Sequence, residues 1–130
     1  MRFAKWVFWI AGIWGFVVLA PLYFLREFIG TQDPPQVTHP EYFFGFVGVG
    51  LVWQFTFLLI ASDPLRFRPI MIGAMLEKFV YVATVAILVA QHRASSKAGA
   101  GIVPDLLLGV LFVVAYFRTR ALTPADRAVA

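Results

Sequence analysis

Long apolar runs separated by short polar stretches divide this chain into four. The first extends from about Trp6 to Leu25 and the second from Tyr42 to Ala61, and neither contains a charge. The third covers about Pro69 to Gln91, and the fourth about Ile102 to Arg118. Each is close to the roughly 20 residues that a helix of 1.5 Å rise needs to cross a hydrocarbon layer about 30 Å thick. The pattern predicts an all-α fold, a transmembrane antiparallel four-helix bundle, with residues 1–130 forming one integral membrane domain.

The stretches between the runs carry turn chemistry. Residues 30–41, GTQDPPQVTHPE, hold three prolines and read as a surface loop, ending in a helix start where Thr38 and Glu41 have capping-box spacing. In SDPLRFRP, residues 62–69, Asp63 is placed to cap a tight connector and Pro69 to open the third helix. HRASSKAGAG, residues 92–101, reads as a flexible linker. The first run follows Arg2 and Lys5 as a signal peptide would. It is too long for an h-region and lacks a small-x-small cleavage site, so it is expected to remain as an anchor.

Composition agrees with a membrane address. The chain is 61% hydrophobic and 14% charged, against roughly half and a quarter in soluble domains. The net charge of +4 comes from basic residues near run ends, which suits lipid headgroups and argues against nucleic acid as a partner. With no cysteine there is no disulfide or thiolate site, and no cofactor motif is present. One end of the bundle would hold Arg2, Lys5, Arg66, Arg68, Arg118, Arg120 and Arg127, and the other Arg26, Arg93 and Lys97. The positive-inside rule then puts both termini in the cytoplasm.

Glu77 and Lys78 lie inside the third run, where a charge costs roughly 2.5 to 3.5 kcal/mol on insertion scales. Glu77 falls about 12 Å from the cytoplasmic end of its helix, and Gln54 about 10 Å from the same boundary on the second, so the two are expected to meet. Trp14 falls in the same layer. Glu77, Tyr81 and Thr84 follow helical spacing, with Leu88 and Gln91 further along, and this face is expected to point inward. Adjacent helix residues diverge by about 100°, so Glu77 and Lys78 are not expected to pair. Lys78 is expected to snorkel, and Arg66 and Arg68 to anchor at lipid phosphates.

Two readings of this layer stay open. Glu77 is either a polar clamp on Gln54 or Tyr81, or a site that exchanges a proton with a bound molecule. Glu77, Gln54, Tyr81, Trp14 and Thr84 are the candidate ligand-binding residues, and Glu77 the candidate acid/base. At the opposite end His39, Glu41, His92 and Asp105 raise the question of a metal. Each has a structural explanation, Glu41 in the capping box and Asp105 at a helix N-terminus, so no metal site is expected.

The series Trp53-Gln54, Asp63-Pro64, Arg66, Arg68-Pro69 and Glu77-Lys78 resembles a group of small four-span bacterial integral membrane proteins that have no assigned activity. The resemblance covers residues 42–120 and implies a bacterial inner-membrane location. In size and span count the chain is also similar to DoxX-like proteins. Small multidrug transporters differ, since their essential carboxylate lies in the first span, which here has none. The leading functional expectation is a non-enzymatic membrane protein that binds a lipid or small apolar molecule between its helices, or assists a membrane partner. The alternatives are an isomerase-like intramembrane enzyme using Glu77 and a proton-coupled transporter. So small a bundle is expected to self-associate.

Overall fold

The computed structural model describes residues 2–120, with Ala125 and Ala128 beyond them. Every element is helical: α1 (Arg2–Leu19), α2 (Leu22–Gln32), α3 (Pro40–Ser62), α4 (Ile70–Ala90), α5 (Ser96–Gly101) and α6 (Val103–Arg120). Four segments are long and apolar enough to cross a membrane, namely α1, α3, α4 and the nearly continuous stretch from Ser96 to Arg120. The chain is thus an antiparallel helical bundle of a multi-pass membrane protein.

The first span is not one helix. Pro21 lacks an N–H and disfavours helical geometry in the residue before it, so α1 stops at Leu19 and α2 restarts with Pro21 as its N-cap. α2 still follows α3, because Tyr23 stacks on Phe44 with centroids 5.8 Å apart and Arg26 donates to the Val37 carbonyl. The capping box is absent. Pro40 occupies the first helical position of α3 and makes His39 the N-cap, so Thr38 lies one residue too early and Glu41 contacts His39 Nδ1 at 3.3 Å instead. Asp63 behaves as expected and accepts from the Arg66 amide at 3.2 Å.

Half of the expected linker is helical as well. α4 closes with the Leu88 and Val89 carbonyls accepting from Arg93 and His92, and His92 takes the left-handed conformation at φ 57° that this closure requires. Ser95 then caps α5, its Oγ accepting from the Ala98 amide at 3.1 Å. That cap moves the start of the fourth span six residues upstream of Ile102. Ser95 Oγ also donates to Asp33 at 2.6 Å and Lys97 Nζ to the Gln32 carbonyl at 2.7 Å, so the end of α2 is latched to the start of α5.

α1 packs on α3 and α6, and α6 packs on α4. α3 and α4 are consecutive in the chain yet touch only sparingly. The core lies in the half of the bundle nearest the basic end, around Phe8, Phe57 and Phe112. Phe8 and Phe112 stack with centroids 4.3 Å apart, and Phe57 meets Phe112 edge-on at 5.0 Å. Ala4, Ala11, Met71, Ala74 and Ala115 fill the space between them. The basic end is tied across the chain, since Arg68 Nε and Nη2 donate to the Tyr116 carbonyl at 3.2 Å and Arg118 lies 4.6 Å over the Phe3 ring. Arg2, Lys5, Arg66, Arg68, Arg118 and Arg120 share this end; Arg127 lies outside the described residues.

Glycines set how closely α1 approaches α3. A Cβ on Gly12 would come within 2.7 Å of Leu58 and 3.0 Å of the Gln54 carbonyl, whereas one on Gly45 would meet nothing within 4 Å. Gly12→Val is therefore expected to destabilise the protein by ~1–3 kcal/mol through overpacking, and Gly45→Val by less than ~0.5 kcal/mol. Melting of the two variants in the same detergent checks the contrast.

Candidate functional site

Because α3 and α4 stand apart away from the core, a cleft of about 840 Å³ lies between them, floored by α1 and α6. α3 contributes Phe46, Val49 and Trp53 to its walls, and α4 contributes Val80, Tyr81 and Thr84. These are aromatic or β-branched residues, of which Trp53, Tyr81 and Thr84 carry a polar group. The Thr84 hydroxyl donates to the Val80 carbonyl at 2.7 Å within its own helix. Phe46 and Tyr81 stack across the gap at 5.7 Å and form the main aromatic contact between the two walls.

The polar groups gather at the deep end, where the cleft meets the core. Lys78 is 5% exposed, and its Nζ donates to Asp105 Oδ1 at 2.6 Å. The same nitrogen lies 3.4 Å from Glu77 Oε2 and 5.3 Å from the centroid of the Phe57 ring. Lys78 thus sits between two carboxylates with an aromatic face beneath it. Glu77 Oε2 is within ion-pair range of the ammonium, yet it makes no aligned hydrogen bond. Gln54 is 1% exposed; its Nε2 donates to the Gly50 carbonyl at 2.9 Å and its Oε1 has no partner. A Cβ on Gly15 would overlap that amide, so the absence of a side chain on α1 is what admits Gln54 to the layer.

Depth explains why these contacts are consequential. Lys78 follows Ile70 by eight residues, about 12 Å along α4. Asp105 follows Ser96 by nine and precedes Arg120 by fifteen, about 14 and 22 Å from the two ends of its span. Both charges are well inside the bundle, where removing one partner of a buried pair costs far more than the pair itself contributes.

The five expected ligand-binding residues, Trp14, Gln54, Glu77, Tyr81 and Thr84, all line this cleft. Several relationships among them differ from expectation. Gln54 and Glu77 do not hydrogen-bond; each turns to a partner on its own helix. Glu77 and Lys78 are in ion-pair range despite being adjacent, because the long lysine side chain curls back. Lys78 does not snorkel to headgroups, since Asp105 holds it inside. The buried stripe of α4 is Met71, Ala74 and Lys78, which turns Glu77 and Tyr81 toward the cleft. Arg68 is engaged by Tyr116, while Arg66 remains exposed at the basic end.

Asp105 is the residue that sequence reasoning misplaced. Counted from Ile102 it is the fourth residue, at a membrane surface; counted from Ser96 it is an intramembrane acid, and the Ser95 cap is the signal that separates the two. It leaves His39, Glu41 and His92 without their fourth member. Among the described residues no three His, Asp or Glu side chains converge as metal ligands.

No family model, curated protein or solved structure matches the chain.

The ion pair generates a double-mutant test. Lys78→Met leaves a half-buried Asp105 unpaired, and is expected to destabilise the protein by ~1–3 kcal/mol. Lys78→Met combined with Asp105→Leu removes both charges and is expected to recover most of that loss. Unfolding of the single and double variants in detergent measures the coupling.

Proposed function

We propose that the protein is a bacterial inner-membrane component that holds one lipid or other small apolar molecule in the cleft between α3 and α4. The observation that carries this reading is the cleft itself: a volume of about 840 Å³, apolar along its walls, ending on Gln54, Glu77 and the Lys78–Asp105 pair. Its size falls in the range of small-molecule sites, which are concave, mostly apolar and provided with a few convergent polar groups. Glycines at positions 45 and 50 contribute no bulk to the α3 wall, which keeps the space open. Glu77 Oε2, without an aligned hydrogen bond although Lys78 is near, and Gln54 Oε1, unpartnered against Gly15 of α1, are the acceptors at the floor that a ligand head would satisfy. The resemblance over residues 42–120 to four-span bacterial proteins supports the inner-membrane address. The excess of basic residues at one end supports two cytoplasmic termini. Self-association is part of the same proposal, because a bundle this small leaves broad apolar faces on its outside.

Native mass spectrometry after incubation with a bacterial lipid extract tests the reading. The expected result is a retained, chemically unaltered adduct that disappears in Gly45→Trp, a substitution that fills the cleft without meeting a neighbour at its Cβ. Glu77→Gln, nearly isosteric with the parent, is expected to keep the melting temperature. An adduct that survives Gly45→Trp unchanged contradicts the assignment, and a mass-neutral rearranged product points to the enzyme reading. Tags on both termini are expected to stay protected from an impermeant reagent in intact cells; labelling of either reverses the orientation.

A further inference from the structure

We propose that the head of the molecule held in the cleft is a monovalent ammonium carrying N–H donors, so that the ligand class is a primary-amine amphiphile. The inference rests on the cleft reading above and adds the chemistry of its floor. Three independent features point the same way.

The first is charge. Glu77 and Asp105 face one ammonium, that of Lys78, and no other Lys, Arg or His lines the cleft among the described residues. The remaining carboxylate of the lining, Glu41, lies at the mouth beside His39. With both deep carboxylates ionised the floor carries one negative charge in excess, which is relieved either by a proton on Glu77 or by a bound counter-charge, and a ligand ammonium competes with that proton. The second is hydrogen-bond polarity. Gln54 Oε1 and Glu77 Oε2 are buried without donors, and both are acceptors. A carboxylate or phosphate head would meet repulsion and supply no N–H; an ammonium supplies up to three. The third is the aromatic lining. Trp14 and Trp53 border the same space, and aromatic ring faces attract a desolvated cation. The pair Lys78–Asp105 keeps its strong bond throughout, so it is Glu77, held only loosely by Lys78, that is free to turn to the ligand.

Equilibrium binding of radiolabelled dodecylamine to the full chain in phosphatidylcholine nanodiscs tests the proposal, with empty nanodiscs subtracted and dodecanol and dodecyl sulfate as competitors. Saturable binding is expected, with dodecanol competing at least about tenfold more weakly and dodecyl sulfate not competing, in line with the strength of a charged hydrogen bond. Glu77→Gln neutralises the floor and is expected to lower dodecylamine affinity about tenfold while leaving dodecanol unaffected. Equal competition by dodecanol, or unchanged dodecylamine affinity in Glu77→Gln, overturns the ammonium proposal and leaves the cleft reading standing. Absence of saturable binding by either molecule, in the parent and in Gly45→Trp alike, overturns both.

Discussion

A single buried ion pair organises this bundle. Lys78 and Asp105 come from helices that run in opposite directions; Lys78 is buried and Asp105 is half-buried at the floor of the cleft. Neither is tolerable alone at that depth, so each fixes the other's position: the rotation of α4, the register of α6 and the contact between them follow from one bond of 2.6 Å. Gly109 permits the close approach, since a Cβ there would lie 3.3 Å from that of Lys78. Once Lys78 faces α6, helical geometry turns Glu77 and Tyr81 to the adjacent flank of α4, about 60–100° round the helix. That flank faces the cleft.

The pair also marks the boundary between two unlike halves. Toward the basic end, three phenylalanines and a set of alanines form the buried core, and Arg68 and Arg118 close the end over aromatic rings. Toward the other end α1 holds α3 and α6 holds α4, while the latch between α2 and α5 joins the two pairs from outside. Nothing of comparable size draws α3 against α4 there. On the α3 wall Gly45 and Gly50 interrupt the aromatic and β-branched residues, and on the α4 wall Val80, Tyr81 and Thr84 do not fill the gap. The open space is thus a consequence of where packing partners are distributed, and its polar floor a consequence of where the ion pair had to lie.

Much of this was legible in the sequence. Apolar run length alone placed four spans, depth counting brought Trp14, Gln54 and Glu77 to one layer, and helical spacing put Tyr81 and Thr84 on the face of Glu77. What escaped was local and directional. Pro21 sits in an uninterrupted apolar run, so hydropathy passes over the break that its missing N–H creates. Thr38 and Glu41 have capping-box spacing, but Pro40 shifts the helix start by one residue and voids it. Lys78 was oriented by the general tendency of lysine to reach for headgroups, which a buried partner overrides. That partner was hidden because the helix carrying Asp105 begins at a serine cap inside a glycine- and alanine-rich stretch, where composition suggests a linker. A long-range pair 27 residues apart leaves no periodicity in the chain.

Solid-state NMR of the protein in phospholipid bilayers measures the central interaction directly. With ¹⁵N at Lys78 Nζ and ¹³C at Asp105 Cγ, a strong dipolar coupling between the two is expected, at the distance of a hydrogen-bonded pair, and no coupling from Nζ to lipid phosphorus. A coupling of Nζ to phosphorus with none to Asp105 would place Lys78 at the headgroups, and would contradict both the register of α6 and the origin of the cleft.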